Sequence, residues 1–357
     1  MTRDNGDGAT TRTPAQTAVV TLRDVAKAAG VGLGTASRAM DPTSRYVTDD
    51  ARSRVHAAAT RLGYRPNSSA RATTTGATPT IAMVVSDIRD PYNAQLVHGA
   101  ISAARDRGLM VTITGTEHAA DDEVRVIRML RSQRPLALAL AGARGGTNSS
   151  HAALLRELER YERDGGRIVV AGEDELPFDT AIVPRREGAR ALIATLAELG
   201  YRSVALIRPD GDSSGVRSWE TGIAEGARRT GVQVDHVTHL RDIPMSREGG
   251  YAAATELLSA GRTGVDALVA ATDTMALGAM AAMRAIGIAP GTDIGVAGFD
   301  DVVDADDVTP GLTSVNLALE AVGAAVVEMA TSTPSETRRA KQFEARITVR
   351  ASTPPRS

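Results

Sequence analysis

The chain has 357 residues, 42% of them apolar and 24% charged, with a formal net charge of −2 and no cysteine. That length suggests two or three domains with cores large enough to fold without staples. The missing thiols exclude disulfides and thiolate metal sites and fit a reducing cytoplasm, and no apolar run approaches the roughly 20 residues a membrane helix needs.

Charge is unevenly placed. Residues 1–80 hold 11 Arg/Lys against 6 Asp/Glu, whereas residues 81–357 hold 30 against 37. A basic first fifth on an acidic body points to an anionic partner for that fifth alone, although a merely solvated basic face would look the same by charge. Residues 1–20 are polar and lack an apolar signal core, so a disordered tail is expected there.

Thr21 and Asp24 have the spacing of a capping box, and Leu22, Val25, Ala26 and Ala29 then share one helical face. Gly30 and Val31 break that helix, and a second runs from near Leu33 to about Met40. Two short helices joined by a glycine turn form a helix-turn-helix pattern. Residues 41–46 read as a loop. Thr48 caps a third helix, with Asp49 and Asp50 where the dipole favours them, and Gly63 ends it. Pro66 stops continuation, and Asn67 opens a short segment to about Thr73 with no apolar face, which should be unstable alone. Residues 76–79 are a linker.

From Thr80 onward, apolar strands alternate with helices: strands at IAMVVS, VTITGT, LALALAG, RIVVAG, AIV, SVALIRP, VDHVTHL, ALVAAT and IGVAGFD, helices between them, then one more strand and helix and a last strand at EARITVRAS. Continuously apolar strands suit parallel sheets covered on both faces. The pattern predicts a doubly wound α/β body, and the number of strands predicts two lobes. Residues 331–340 read as a surface loop.

These residues resemble the lactose-repressor/galactose-repressor (LacI/GalR) family of bacterial transcription regulators. The head motif is met by Thr21, Leu22, Asp24, Val25, Ala26, Ala29, Gly30, Val31, Thr35, Ser37 and Arg38. Body signatures follow in order at DIRDPYN (87–93), GARALIATLAELGYRSVALI (188–207), ATDTMALGAM (271–280), GFDDV (298–302) and LTSV (312–315). The resemblance implies an all-α helix-turn-helix DNA-binding head over 21–67, a hinge helix and linker over 68–79, and a periplasmic-binding-protein-like body over 80–357. The body would comprise an N-lobe (about 80–183 and 312–338) and a C-lobe (about 184–311 and 339–357), with crossovers near Val183, Pro310 and Arg339. It further implies a cytoplasmic repressor that binds a palindromic double-stranded DNA operator as a homodimer, with a small-molecule, sugar-like effector in the inter-lobe cleft and no cofactor, metal or membrane.

A recognition helix reads base edges near its N-terminal end, which here means Leu33, Gly34 and Arg38. Arg38 can make paired hydrogen bonds to a guanine edge, Leu33 offers apolar contact to a thymine methyl, and Gly34 has nothing to read with. By resemblance, Thr21, Ser37, Thr48, Tyr64 and Asn67 hold phosphates, with simple packing an equal reading for Tyr64. Ala70 and Thr73 stand at the hinge positions that enter the minor groove. The family places a wedging leucine where this chain has Thr73, which is too short and polar to unstack bases. Gly32 replaces a capping serine, and Asp41 replaces an asparagine with a charge that repels phosphate.

In the body, the resemblance assigns the effector to Asp90, Tyr92, Asn93, Trp219, Thr272, Asp273 and Asp300. The aspartates after strands suit sugar hydroxyls, with helix capping an equal reading for Asp273. Asn93 replaces an aromatic, and Trp219 replaces an arginine and offers a face for a sugar to stack on or a plug for the cleft. Arg185, after the first crossover, is a substitute for the missing cation. A regulator that no longer senses a ligand and a stand-alone solute-binding protein are the alternatives. For catalysis there is little: the six histidines are scattered, and neither a GxSxG nor a phosphate-loop motif occurs.

Overall fold

The computed structural model describes residues 20–41, 44, 46–65, 76–116, 120–142, 148–236, 243–259, 264–335 and 337–356. The expected tail and the hinge positions Asn67, Ala70 and Thr73 lie outside the described residues. The chain divides into two compact units, meeting between Thr74 and Thr75.

Among the described residues, the first unit holds three helices, α1 (Leu22–Ala29), α2 (Leu33–Ala39) and α3 (Asp49–Leu62). The capping box of α1 forms in both directions: Thr21 N donates to Asp24 Oδ2 at 2.9 Å, and Thr21 Oγ1 accepts from Asp24 N at 3.4 Å. The Thr21 hydroxyl and N–H both donate to the Asp24 carboxylate and hold it below its usual range. Gly30 and Gly63 end α1 and α3 in the left-handed region, at φ 64° and 65°, which a side chain would strain. The core is almost all alanine and valine: Val25, Ala26, Ala29, Ala36, Ala39, Val55, Ala58 and Ala59. Small side chains let the helices approach closely, but they bury little area each. Two arginines reinforce this thin core. Arg52 donates to the carbonyls of Ala39, Asp41 and Ser44, and Arg54 to that of Ala29. Part of the head's basic charge is thus internal scaffolding.

The second unit has two lobes. In the first, strands β1 (Thr78–Val85), β2 (Met110–Gly115), β3 (Pro135–Ala141), β4 (Arg167–Gly172) and β5 (Asp179–Ile182) are parallel. They alternate with α4 (Pro91–Arg105), α5 (Ala120–Ser132) and α6 (Asn148–Arg163). The second lobe takes α7 (Arg185–Glu198), β6 (Ser203–Ile207), α8 (Ser214–Thr230), β7 (Gln233–His236), α9 (Arg247–Ser259), β8 (Ala267–Ala270), α10 (Asp273–Ala285), β9 (Gly295–Ala297) and a short α11 (Asp304–Asp307). Its sheet order is β7-β6-β8-β9. The chain ends with β10 (Ser314–Asn316), α12 (Leu319–Thr331), β11 (Ala340–Gln342) and β12 (Arg346–Thr348). The central strands β3, β6 and β8 are buried nearly end to end, as apolar parallel strands covered on both faces must be.

Two expected crossovers are displaced. The first falls at Val183, but β10 stays with the second lobe: Thr313 and Asn316 bridge to Ala297 and Asp300 beside β9. The return to the first lobe therefore follows Asn316 rather than Pro310. The residues read as a surface loop end in β11, which pairs parallel with β5 as an edge strand of the first sheet, so the last crossover follows Gln342 rather than Arg339. Both strands are three residues long, and β11 is fully exposed. No apolar alternation marks such a strand; only backbone pairing does.

Helix pairs close against each other through glycines. A Cβ at Gly99 of α4 would lie 1.9 Å from the Glu320 carbonyl oxygen, and one at Gly323 of α12 would lie 1.9 Å from that of Leu96. Backbone cannot yield as a flexible side chain can. Gly323→Ala should therefore lower stability by roughly 1–3 kcal/mol, read as a lower urea midpoint at unchanged secondary structure. An unchanged midpoint would show that α4 and α12 can separate at little cost.

Candidate DNA-reading face and effector cleft

In α2, Ala36 and Ala39 point into the head core, which leaves Leu33, Gly34, Ser37 and Arg38 exposed on the opposite face. Arg38 Nε donates to the Gly34 carbonyl at 3.0 Å, and its Nη2 lies 3.6 Å from where a Gly34 Cβ would stand. The arginine lies back over the one residue without a side chain, with its terminal nitrogens on the exposed face. Thr21 and Thr48 are exposed, but each hydroxyl also caps a helix. Tyr64 packs half-buried against the head core, and burial raises its hydroxyl pKa.

In the body, the carboxyl ends of the parallel strands of both lobes face a cavity of about 750 Å³. Open α/β sheets bind ligands at such ends, where loops diverge and helix N-termini converge. One wall carries Ser86, Asp87, Arg89, Asp90, Tyr92, Thr116 and Glu123, and the other Arg185, Asp210, Asp212, Ser213, Trp219, Ser246, Thr272 and Asp300.

At its floor, three buried side chains meet. The Arg185 guanidinium lies 4.5 Å from the centre of the Tyr92 ring, and its Nη1 is 3.7 Å from Asp300 Oδ1. Arg185 opens α7, where the helix dipole disfavours a cation, so the ring and the carboxylate hold it there. Burial pushes the Asp300 carboxyl well up, with Arg185 opposing, and likewise pushes the Tyr92 hydroxyl up. Asp300 itself sits at φ 107°, a costly conformation for a residue with a Cβ. Trp219 is 1% exposed, and among the described residues neither its Nε1 nor Asp300 Oδ1 has a hydrogen-bond partner.

Asp90 and Thr272 line the cavity and also cap α4 and α10, accepting from Tyr92 N at 3.1 Å and Met275 N at 3.2 Å. Two residues assigned to the effector from the sequence do not line it. Asn93 turns inward and donates to Ser86 Oγ and the Asp87 carbonyl, at 2.9 and 2.8 Å, bracing the loop after β1. Asp273 is fully buried, accepting from Val302 N at 2.8 Å and from the Ser314 hydroxyl at 2.5 Å; the α10 cap is Thr272, not Asp273. Each is one residue beyond a lining residue or a cap, where the helical turn points the side chain into the lobe. The lining residues absent from the sequence reading, Ser86, Asp87, Arg89, Thr116, Glu123, Asp210, Asp212, Ser213 and Ser246, lie on loops and flanking segments around this end of the sheets. The strand-end rule would have directed attention to those loops.

The head, residues 21–67, matches the model of bacterial regulatory proteins of the lacI family, and residues 193–353 match that of the periplasmic binding protein-like domain. The transcriptional regulator CelR of Thermobifida fusca is 31% identical over 309 residues, covering 85% of this chain and 88% of CelR. This chain belongs to the LacI/GalR family. It is a DNA-binding transcriptional regulator with a helix-turn-helix head and a periplasmic-binding-protein-like body. The regulator GalS of Salmonella typhimurium is 30% identical over 332 residues, covering 87% of this chain and 89% of GalS. Among solved structures, the lac repressor dimer bound to operator and the anti-inducer ONPF shares the fold with a TM-score of 0.80 at 24% identity, over 94% of this chain and 99% of that one. A CelR–cellobiose complex matches with a TM-score of 0.65 at 26% identity, over 93% and 99%. Among the described residues no acid or histidine group could hold a metal, and no helix is long and apolar enough to cross a membrane.

Burial raises the Asp273 carboxyl to about 7, against the pull of its bonds to Ser314 and Val302. A carboxyl with a raised folded pKa keeps its proton while the unfolded chain loses it. Stability is therefore fullest below the unfolded pKa and falls as pH rises toward 7, by on the order of a few kcal/mol. Asp273→Asn should flatten that fall between about pH 4 and 7, measured by urea denaturation at each pH. An equally steep fall in the variant would exclude Asp273 as its source.

Proposed function

We propose that this regulator is a repressor that binds a palindromic operator as a homodimer, and that a sugar-like effector in the body cleft sets its operator affinity. The observation that carries the reading is the cavity itself: at the strand ends of both lobes it is lined by Trp219, whose Nε1 has no partner among the described residues, and by a buried arginine–aspartate pair. A cavity with unmet polar atoms argues against a pocket that has drifted shut. The solved relatives give further support, since one is a repressor dimer on operator and another holds cellobiose. The two heads of a dimer would meet two half-sites, and the symmetry of protein and operator would correspond. Effector binding would act as a population shift between two body states, with a reciprocal effect of operator on effector affinity. Its place of action is the cytoplasm, where operator DNA lies.

Arg38 is the base reader in this scheme, with Leu33 and Gly34 contributing little hydrogen bonding. Ser37, Thr21, Thr48, Tyr64 and Asn67 set register on phosphates, and Ala70 and Thr73 meet the minor groove. Arg38→Ala should lower affinity for the selected operator by roughly 1–3 kcal/mol while sparing random DNA. Competition binding against both sequences checks this, and retained sequence preference would refute the role of Arg38. Thr73→Leu should tighten operator binding and increase the bend by supplying a wedge. A gel-shift series with circularly permuted sites reads both quantities, and no change in either would remove the hinge from the account.

A further inference from the structure

The chain crosses between the lobes three times, and the roots of those crossings in the second lobe converge on two adjacent aspartates. Asp300 and Asp301 both hold positive φ, 107° and 51°. That conformation is costly for a residue with a Cβ and persists only where its surroundings impose it. Here backbone N–H groups impose it. Asp300 N donates to the Val315 carbonyl at 3.0 Å, Asp301 N to Ser314 Oγ at 3.0 Å, and Val302 N to the buried Asp273 carboxylate at 2.8 Å. The turn gives the two side chains different surroundings. Asp300 lines the cleft and faces Arg185 at the first crossing. Asp301 lines a second cavity with Gln95, Asn316 and Arg350 and serves the two later crossings.

Asp301 Oδ2 accepts from Asn316 Nδ2 at 3.1 Å and from the Thr348 hydroxyl at 3.0 Å, and Oδ1 accepts from Arg350 Nη1 at 2.8 Å. Asn316 ends β10 just before the second crossing, and Thr348 ends β12 just after the third. Asn316 passes the constraint on. Its Oδ1 accepts from Ala318 N at 2.9 Å, and Ala318 turns the chain at φ 53° into α12 of the first lobe. Gln95 of α4, the helix packed against α12, donates to the Asp301 carbonyl at 3.4 Å. We infer that Asp301 is a positioning residue for the hinge: it fixes the roots of the second and third crossings and so sets the arrangement of the lobes. The adjacent aspartates divide the work, one meeting the cleft and the other the hinge. On the effector reading above, a ligand drawn to Asp300 would pull on the same turn and reach both later crossings through Asp301.

The chain has no cysteine, so labels can be placed at will. Spin labels on Ala152→Cys in the first lobe and Ala224→Cys in the second, both exposed helix positions, report the interlobe distance by double electron–electron resonance. Labelled full-length protein is diluted with excess unlabelled chains, so that distances within one chain are read. No ligand is added, so a failure here leaves the effector reading standing, and a failure of that reading leaves this test intact. Asp301→Asn removes the charge. Asn316→Asp keeps the acceptor for Ala318 N but sets a second carboxylate against Asp301. Each should raise the population at displaced distances by about tenfold, the effect of losing one charge-assisted bond. The double variant exchanges donor and acceptor, and the Thr348 hydroxyl can reverse, so it should recover the native distribution. Thr348→Val, which removes one neutral donor, is the milder change should a charged one unfold the chain, and it should displace the distances in the same direction. Asp266→Asn is the control. Its carboxylate accepts from Arg202 N and Ser203 N, at 2.6 and 2.9 Å, within the second lobe, and its loss should leave the distance unmoved. A native distribution in the folded variants would overturn the hinge role, as would an equal displacement by Asp266→Asn. Displacement in the single variants without recovery in the double would overturn the Asp301–Asn316 pairing as its cause.

Discussion

An arginine cannot shed its proton inside a protein, so burying one obliges the fold to answer its charge. Arg185 is 12% exposed and stands at the first crossing between the lobes. The answer comes from both sides: the Tyr92 ring belongs to α4 of the first lobe, and Asp300 follows β9 of the second. Taking away one partner of a buried pair typically costs about 3–5 kcal/mol, because the other charge is stranded. The contact therefore ties the lobes together through side chains that also line the cavity between them. A ligand that bonded Asp300 would change the partner set of Arg185, and with it the contact that spans the crossing. On the proposed reading, effector binding and lobe arrangement would share one small group of side chains.

Elsewhere the molecule relies on small residues. The head packs alanines and valines and reinforces them with arginine–carbonyl bonds, which tie α3 to Ala39, Asp41 and Ser44 without bulky side chains. The body brings helices together through glycines whose missing Cβ atoms would meet carbonyl oxygens. Both devices give short backbone-to-backbone distances and little tolerance for added atoms. On α2, the same economy lets Arg38 lie over Gly34, so one exposed arginine dominates a face that is otherwise nearly featureless.

The sequence shows most of this architecture because its signals are local. Thr21 and Asp24 announce a cap that forms, Gly30 and Gly63 end helices in the left-handed region, and continuous apolar runs become parallel strands. What it hides is carried by backbone pairing or by orientation. The exposed residues Ala340–Gln342 have no pattern to betray an edge strand, yet they pair with β5 and move the last crossover. Asn93 and Asp273 have the chemistry of ligand contacts, but a turn of about 100° per residue sends each into the lobe interior. Arg185 could be named as a substitute cation from its place after the crossing, whereas its stacking on Tyr92 depends on how two lobes meet. The loop residues that line the cleft, such as Asp210 and Asp212, come together only in the folded body.

The central claim is that events in this cleft govern the grip on DNA. Trp219 is the only tryptophan in the chain and lies in the cleft wall, so its intrinsic fluorescence reports cleft occupancy without a label. Its emission should be titrated with effector alongside operator affinity in the same buffer. The account predicts that both change together, with linked midpoints. An effector that alters operator affinity while leaving Trp219 emission unmoved would contradict it, as would one that fills the cleft and leaves operator affinity unchanged.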